Sequence, residues 1–341
     1  MVANYIAYLV KMENWIMVKR EYGGYLPLEL QTFKDEYYTT NSDFNVVPLN
    51  SGRATFFFAA KEEKIKKIFL PYFTCAETGD PFKKLNVDIE YYLLDDDLLP
   101  KNVATSKGDF VFWTNYYGNA HSSQIKEISS NFENLIIDNC HAFFSLPVKG
   151  AFNCYSTRKF FGVSDGAYLI KDNFTLSQKF ENDFSYQNSI HLVKQHDAGV
   201  NAGYQQSLRN EERLSNNYMG MSKFTKKILK SINYKEVHGK RLRNFLVLHD
   251  ALHSINEFRI NLESETHMYY PFLIEQEDLR YKLIEKKLYN PFWWKHVIEL
   301  VPSSSIEYRL SKYTVMLPID QRYTENDMSQ IGEIVKSAII K

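Results

Sequence analysis

Leu135-Ile136-Ile137-Asp138-Asn139-Cys140-His141 carries the clearest fold signal in the chain: a short run of apolar residues ending on an acid. The run is too short for a helix and β-branched enough for a strand. Working outward, the same kind of run returns at Val46-Val47-Pro48-Leu49, Ile68-Phe69-Leu70, Ile89-Glu90-Tyr91-Tyr92, Phe110-Val111-Phe112-Trp113, Phe152-Asn153-Cys154-Tyr155 and Ala167-Tyr168-Leu169-Ile170. Segments 53–66, 75–86 and 122–132 suit helices. Strands alternating with helices predict an α/β layer with a mostly parallel sheet, and the nearly unbroken apolar character fits strands covered on both faces. From about 174 to 260 the pattern is helical and polar, and its basic stretch Lys223–Lys230 reads as a solvated face. Beyond about 265, Met268–Ile274 and Tyr313–Pro318 read as strands, with helices over 276–288 and 324–339. The expected organisation is an N-terminal arm over 1–45, a large α/β domain with a helical extension over 46–262, and a small C-terminal α+β domain over 263–341.

Composition excludes several classes of protein. Lysine plus arginine and aspartate plus glutamate both number 41, so the basic excess of a general nucleic-acid binder is missing. At 44% hydrophobic the chain can bury a sizeable core and is no disordered protein. No apolar run approaches the ~18–20 residues of a membrane helix. Ile6-Ala7-Tyr8-Leu9-Val10 lacks a basic flank and a cleavage site, so no signal peptide is expected there. Cys75, Cys140 and Cys154 are odd in number and widely spaced. That pattern predicts free thiols in a reducing cytoplasm, with neither a disulfide framework nor a structural metal site. Two counts stand out: 24 tyrosines and 24 phenylalanines, against only 14 glycines.

Ligands of an open α/β sheet gather at the carboxyl ends of its strands. After the first strand, Asn50-Ser51-Gly52-Arg53-Ala54 opens a helix whose N-terminus presents free N–H groups and the positive dipole end, a setting for a phosphate. The ordinary alternative is a plain serine N-cap. GxGxxG and GxxxxGK motifs are both missing, so dinucleotide and Walker-type loops are disfavoured. At the end of 135–137, Asp138 needs a cation or donor to justify a buried carboxylate, and His141 follows three residues later. The alternative is a turn-capping aspartate with a packed histidine. Third comes Ser156-Thr157-Arg158-Lys159-Phe160-Phe161. An apolar, partly desolvated pocket is expected around Lys159, favouring the neutral amine of Schiff-base chemistry; a surface loop lysine is the alternative. Phosphate cradle, strand-end acid and then a lysine 21 positions later are the groups, in order, that a pyridoxal phosphate (PLP) site requires.

With these segments, together with Leu70-Pro71-Tyr72-Phe73-Thr74-Cys75, Asp165-Gly166 and Leu317-Pro318-Ile319-Asp320-Gln321-Arg322-Tyr323, the sequence resembles the fold-type I PLP enzymes, and most of all the DegT/StrS family of sugar aminotransferases. The resemblance implies a large α/β domain with a mostly parallel sheet plus a small α+β domain. It implies that Lys159 holds the cofactor aldehyde and shuttles the proton between the substrate α-carbon and the cofactor. Asp138 would pair with the pyridinium nitrogen, His141 would lie near the ring, and Ser51, Gly52, Arg53, Ala54 and Ser156 would hold the phosphate. Phe73 is the candidate for the ring-stacking aromatic, although Cys75 stands at the usual position of that residue. Arg53 stands where the family has threonine or serine, and Cys154 where it has serine. Related sugar dehydratases carry histidine in place of the lysine, so Lys159 favours transamination.

The resemblance further implies a cytoplasmic homodimer whose sites are completed by the neighbouring subunit, with Tyr22-Gly23-Gly24-Tyr25-Leu26 and the 175–230 region as contact candidates. The expected substrates are an amino acid donor, glutamate foremost, and a nucleotide-linked keto sugar destined for surface polysaccharide or amino-sugar synthesis. Nucleic acid and membrane partners are not expected. Two alternatives remain: a PLP-fold protein that has become a binding or assembly partner, and a PLP enzyme with other amino-acid chemistry.

Overall fold

Seven strands pair into one sheet: β1 (Asn45–Leu49), β2 (Lys67–Pro71), β3 (Asp88–Tyr92), β4 (Phe110–Thr114), β5 (Leu135–Asp138), β6 (Phe152–Ser156) and β7 (Ala167–Lys171), in the order β1-β7-β6-β5-β4-β2-β3. Only β7 runs against the rest. The computed structural model describes residues 26, 28–33, 35–38, 43–177, 179–264 and 267–339. The chain forms two units, Met1–Gln31 and Thr32–Lys341. In the first, residues 28–31 lack regular structure, and the contact candidate Tyr22–Tyr25 lies outside the described residues.

All residues of β4, β5 and β6 are buried, as their apolar runs predict. Helix α1 (Gly52–Glu62) follows β1 and covers one face of the sheet with Phe56, Ala59 and Ala60. The stretch expected as one helix over 75–86 divides into a 3-10 turn at Ala76–Gly79 and the short helix α2 (Asp80–Lys84). Pro81 sits in the first turn of α2, where its missing N–H costs nothing, so the helix begins there. Helix α3 (Ser122–Asn131) precedes β5, packing Ile128 on the opposite face.

After β7 come the paired helices α4 (Ile190–Ala198) and α5 (Val200–Asn216), then α6 (Lys223–Lys230) and α7 (Tyr234–Leu252). The C-terminal part holds β8 (Tyr269–Leu273), α8 (Leu279–Glu285), α9 (Val297–Leu300), α10 (Ile306–Tyr313), β9 (Thr314–Pro318) and α11 (Glu325–Ala338). Strands β8 and β9 pair antiparallel. Their core takes Tyr270, Phe272, Val315 and Leu317 from the strands, Met328, Ile331 and Val335 from α11, and Phe245, Leu248 and Leu252 from α7. Helix α7, which lies before the expected boundary at 262, thus packs with the C-terminal elements.

Much of the aromatic excess forms a second core beneath the lysine loop. Tyr38, Phe143, Phe144, Tyr155, Phe160, Phe161 and Tyr168 pack together there. The Tyr38 and Tyr155 rings lie 4.5 Å apart; the Tyr155 hydroxyl donates to the Ser145 carbonyl, and the Tyr38 hydroxyl to the Phe143 carbonyl, with Ser145 a longer second acceptor. Each buried phenol thereby gains an acceptor.

Candidate active site

A cavity of about 410 Å³ opens at the carboxyl ends of the parallel strands, lined by Ser51, Gly52, Arg53, Asp138, His141, Ser156 and Lys159 among others. Strand register explains the convergence: Thr114 pairs with Asp138, and Asp138 with Cys154, so these strands end level with one another. Residues just past those ends meet in one place. Ser51 N-caps α1, its Oγ accepting the Ala54 N–H at 3.1 Å. In a helix N-terminus the first N–H groups have no intrahelical acceptor, so those of Gly52 and Arg53 remain to bind an anion. A Cβ on Gly52 would stand only 3.0 Å from the Cys140 sulfur, so glycine permits the close approach of β1's end to β5's end.

Asp138 is buried, and the Cys140 N–H donates to its Oδ1 at 2.9 Å. Burial raises its pKa, against the opposing pull of the Cys140 donors and the Lys159 charge. A carboxylate held in this way is stabilised by a cationic N–H donor facing it. His141 is buried as well; burial, reinforced by the Lys159 charge, holds its pKa well below the usual histidine range. The ring is therefore neutral near pH 7. Its Nε2 lies 3.5 Å from Lys159 Nζ, and its Nδ1 is buried with no hydrogen-bond partner.

Lys159 is exposed to the open cavity, which corrects the expectation of a desolvated lysine. Its aromatic neighbours Phe160 and Phe161 turn the other way, into the core beneath the loop. The aromatic surface beside Lys159 comes instead from Trp293, whose ring centre lies 5.4 Å from Nζ and 4.5 Å from the His141 ring. Two further candidates are displaced. Phe73 does not line the cavity: it is 1% exposed, with its ring 4.6 Å edge-on from Trp294. The bend after β2, closed by the Thr74–Thr78 hydroxyl pair at 3.1 Å, turns Phe73 inward and leaves Cys75 facing the cavity. Ala54 is fully buried behind the helix end, and its N–H is taken by Ser51.

Cys75 hydrogen-bonds to the Glu77 carboxylate. Desolvation by the surrounding protein and that bond push its thiol up to about 11. Glu211 of α5 also lines the cavity, paired with Arg158 and Arg53. The site elements not foreseen in the sequence are Thr74, Glu77, Thr78, Glu211 and the segment Phe292-Trp293-Trp294. Only the tryptophan doublet carried a signal, since it accounts for two of the four tryptophans in the chain.

An amine, a buried acid, a neutral histidine and an open helix N-terminus thus share one cavity. No family model matches the chain, and no curated protein matches its sequence. Solved structures do match. A DegT DnrJ EryC1 StrS aminotransferase from Brucella abortus is 15% identical, with 86% of this chain and 85% of that one aligned at a TM-score of 0.57. The sugar aminotransferase CalS13 from Micromonospora echinospora is 13% identical over 86% of this chain and 87% of that one, with a TM-score of 0.58. NtdA from Bacillus subtilis, solved with bound cofactor PMP, is 15% identical over 85% and 73% of the two chains, also at 0.58. The chain has the fold of these aminotransferases. Among the described residues, no helix is long and apolar enough to cross a membrane, and no group of histidine, cysteine and acidic side chains is placed to hold a metal ion.

Proposed function

We propose that this chain is a PLP-dependent aminotransferase that moves an amino group from an amino acid, glutamate foremost, to a nucleotide-linked keto sugar. One observation carries the reading: the α1 N-terminus, Asp138 and Lys159 reach a single cavity from three different strand ends. The residues fit the cofactor. Gly52 and Arg53 would offer N–H groups to its phosphate, with Ser156 beside them, and Asp138 would pair with its ring nitrogen. When bound, PLP supplies an electron sink for charge developing at the substrate α-carbon. Lys159 Nζ would hold the cofactor at its aldehyde carbon and would carry the proton to and from the substrate α-carbon. His141 Nε2, 3.5 Å from Nζ, would steady the amine where it faces the cavity.

Purified protein mixed with PLP is expected to absorb near ~420 nm, and borohydride is expected to fix the cofactor on Lys159. Glutamate should bleach that band. Lys159→Ala should abolish both responses; protein that takes up no PLP refutes the reading. The binding-partner alternative expects Lys159→Ala to leave cellular function intact, and complementation lost by that single change would reject it.

A homodimer is part of the proposal. Phe184, Tyr186, Ile190, Val193, Val200, Tyr204 and Leu208 are exposed on and just before the α4–α5 pair, within the region expected to meet a second copy. So many large exposed apolar side chains on one helix pair and the segment before it favour an interaction site there. Tyr204→Asp should shift the sedimentation of the protein toward monomer, and an unchanged dimer would move the interface elsewhere.

A further inference from the structure

We propose that Arg53 and Arg158 form an exchangeable oxyanion subsite at the cavity mouth, occupied by Glu211 until a substrate anion displaces it. Assigning the anion to a substrate rests on the aminotransferase reading; the subsite itself does not.

Arg158 grips Glu211 with both terminal nitrogens, Nη1 to Oε2 at 3.3 Å and Nη2 to Oε1. Arg53 Nη2 lies 3.6 Å from the same Oε2. Two guanidinium groups therefore share one carboxylate, in the fork geometry that suits a bidentate oxyanion. The arginines are mostly enclosed, with side chains 16% and 18% exposed, whereas the Glu211 side chain is 50% exposed. The fixed half of the cluster is thus cationic and the open half anionic. Glu211 is the solvent-facing partner of the enclosed arginines, so an incoming anion that offers the same paired oxygens can replace it. Arg158 also has a buried Nε with no acceptor, a donor that Glu211 leaves unused. Burial works to raise the Glu211 pKa, but Arg158, Arg53 and Lys159 together hold it below the usual range, so it is ionised near pH 7. All of these side chains line the cavity that holds Lys159. A carboxylate of the donor and a diphosphate of the acceptor share the required chemistry.

Two inert probes separate these sources: glutarate, which has no group that reacts with an aldehyde, and inorganic pyrophosphate. Calorimetry would titrate each into wild-type protein, Glu211→Gln and Arg158→Lys, with PLP supplied so that its phosphate fills the α1 N-terminus, and with circular dichroism checking the fold of each. PLP uptake would be followed by absorbance in the same samples. Glu211→Gln removes the resident charge and should tighten binding of one probe at least ~10-fold, equivalent to about 1.4 kcal/mol. Arg158→Lys keeps the charge but loses the fork, and should weaken binding by a similar factor. Tighter glutarate binding assigns the subsite to the donor, and tighter pyrophosphate binding to the acceptor. Equal affinities in wild type and Glu211→Gln, or no binding of either probe to folded protein, would overturn the proposal even if PLP is taken up. Failure of PLP uptake with the Glu211→Gln effect intact would instead overturn the aminotransferase reading and leave the subsite standing.

Discussion

Gly166→Ala tests how the phosphate turn and the lysine loop are joined. Gly166 follows the loop and touches both segments: its N–H donates to the Asn50 carbonyl at 2.8 Å, and its carbonyl accepts from Thr157 N at 3.1 Å and Thr157 Oγ1 at 2.9 Å. Its φ is +124°, which L side chains rarely adopt. A Cβ there would lie 2.3 Å from Thr157 Oγ1 and 3.1 Å from Thr225 Cγ2. The strained backbone costs about 1–3 kcal/mol. Pushing Thr157 aside adds about 1–3 kcal/mol of overpacking. The total of about 2–6 kcal/mol corresponds to a fall in Tm of roughly 4–12 °C at about 2 °C per kcal/mol for a chain of this size. Gly150→Ala is the control: φ is +83° and nothing lies within 4 Å of the added Cβ, so only the backbone cost of about 1 kcal/mol applies. Urea unfolding of both variants, with PLP uptake measured beside it, gives the comparison. Cofactor affinity should fall in Gly166→Ala and stay level in Gly150→Ala. A Gly166→Ala protein as stable as Gly150→Ala would refute the clash, and with it the coupling of Asn50 to Thr157 through this residue.

Asp138→Asn should weaken PLP binding by roughly 10–150-fold, the worth of a charged hydrogen bond of about 1.5–3 kcal/mol, as read from an absorbance titration. The same change should act oppositely on the cofactor-free protein. Because burial raises the folded pKa of Asp138, the native state holds this proton more tightly than the unfolded state, and its contribution to stability declines as pH rises from the ordinary aspartate range through the folded value. Unfolding curves across pH should show Asp138→Asn losing that decline, and an unaltered pH profile would count against the burial argument. Cys75, with its thiol at about 11, should be only about a thousandth ionised at pH 8, and its iodoacetamide labelling should climb roughly tenfold per pH unit. Glu77→Gln should bring the midpoint down, whereas a labelling plateau near pH 8.5 in the unaltered protein would contradict the Glu77 effect.

The sheet was legible because burial on both faces writes itself into short apolar runs. β4, β5 and β6 match their predicted runs within a residue or so at each end. Residues that follow strand ends were legible for the same reason: topology places Ser51, Asp138 and Lys159 together once the strand order is known. Side-chain direction was harder to read. Phe73 and Cys75 lie two apart near the same strand end, and a hydroxyl-bonded bend, rather than strand alternation, decides which one faces the cavity. Glu211 gave no local sign of its role, and the Trp293–Trp294 pair only its rarity, since long-range packing brings them to residues more than 50 positions away. Phe160 and Phe161 suggested a dry surrounding for Lys159, yet aromatic side chains follow the larger core available to them, which lies beneath the loop.

Gln321 donates from Nε2 to the Phe160 carbonyl at 2.8 Å, and Arg241 packs over the Phe160 ring at 4.5 Å. The residue next to Lys159 is thus fastened from the far end of the chain, 161 positions away. During synthesis this imposes an order of events. A ribosome-bound chain can form the seven-stranded sheet and expose Lys159 long before residue 321 leaves the exit tunnel, but its lysine loop is still unclamped. PLP uptake, as proposed, is therefore a late event, and chains arrested before residue 321 should stay colourless in PLP while the 341-residue chain turns yellow.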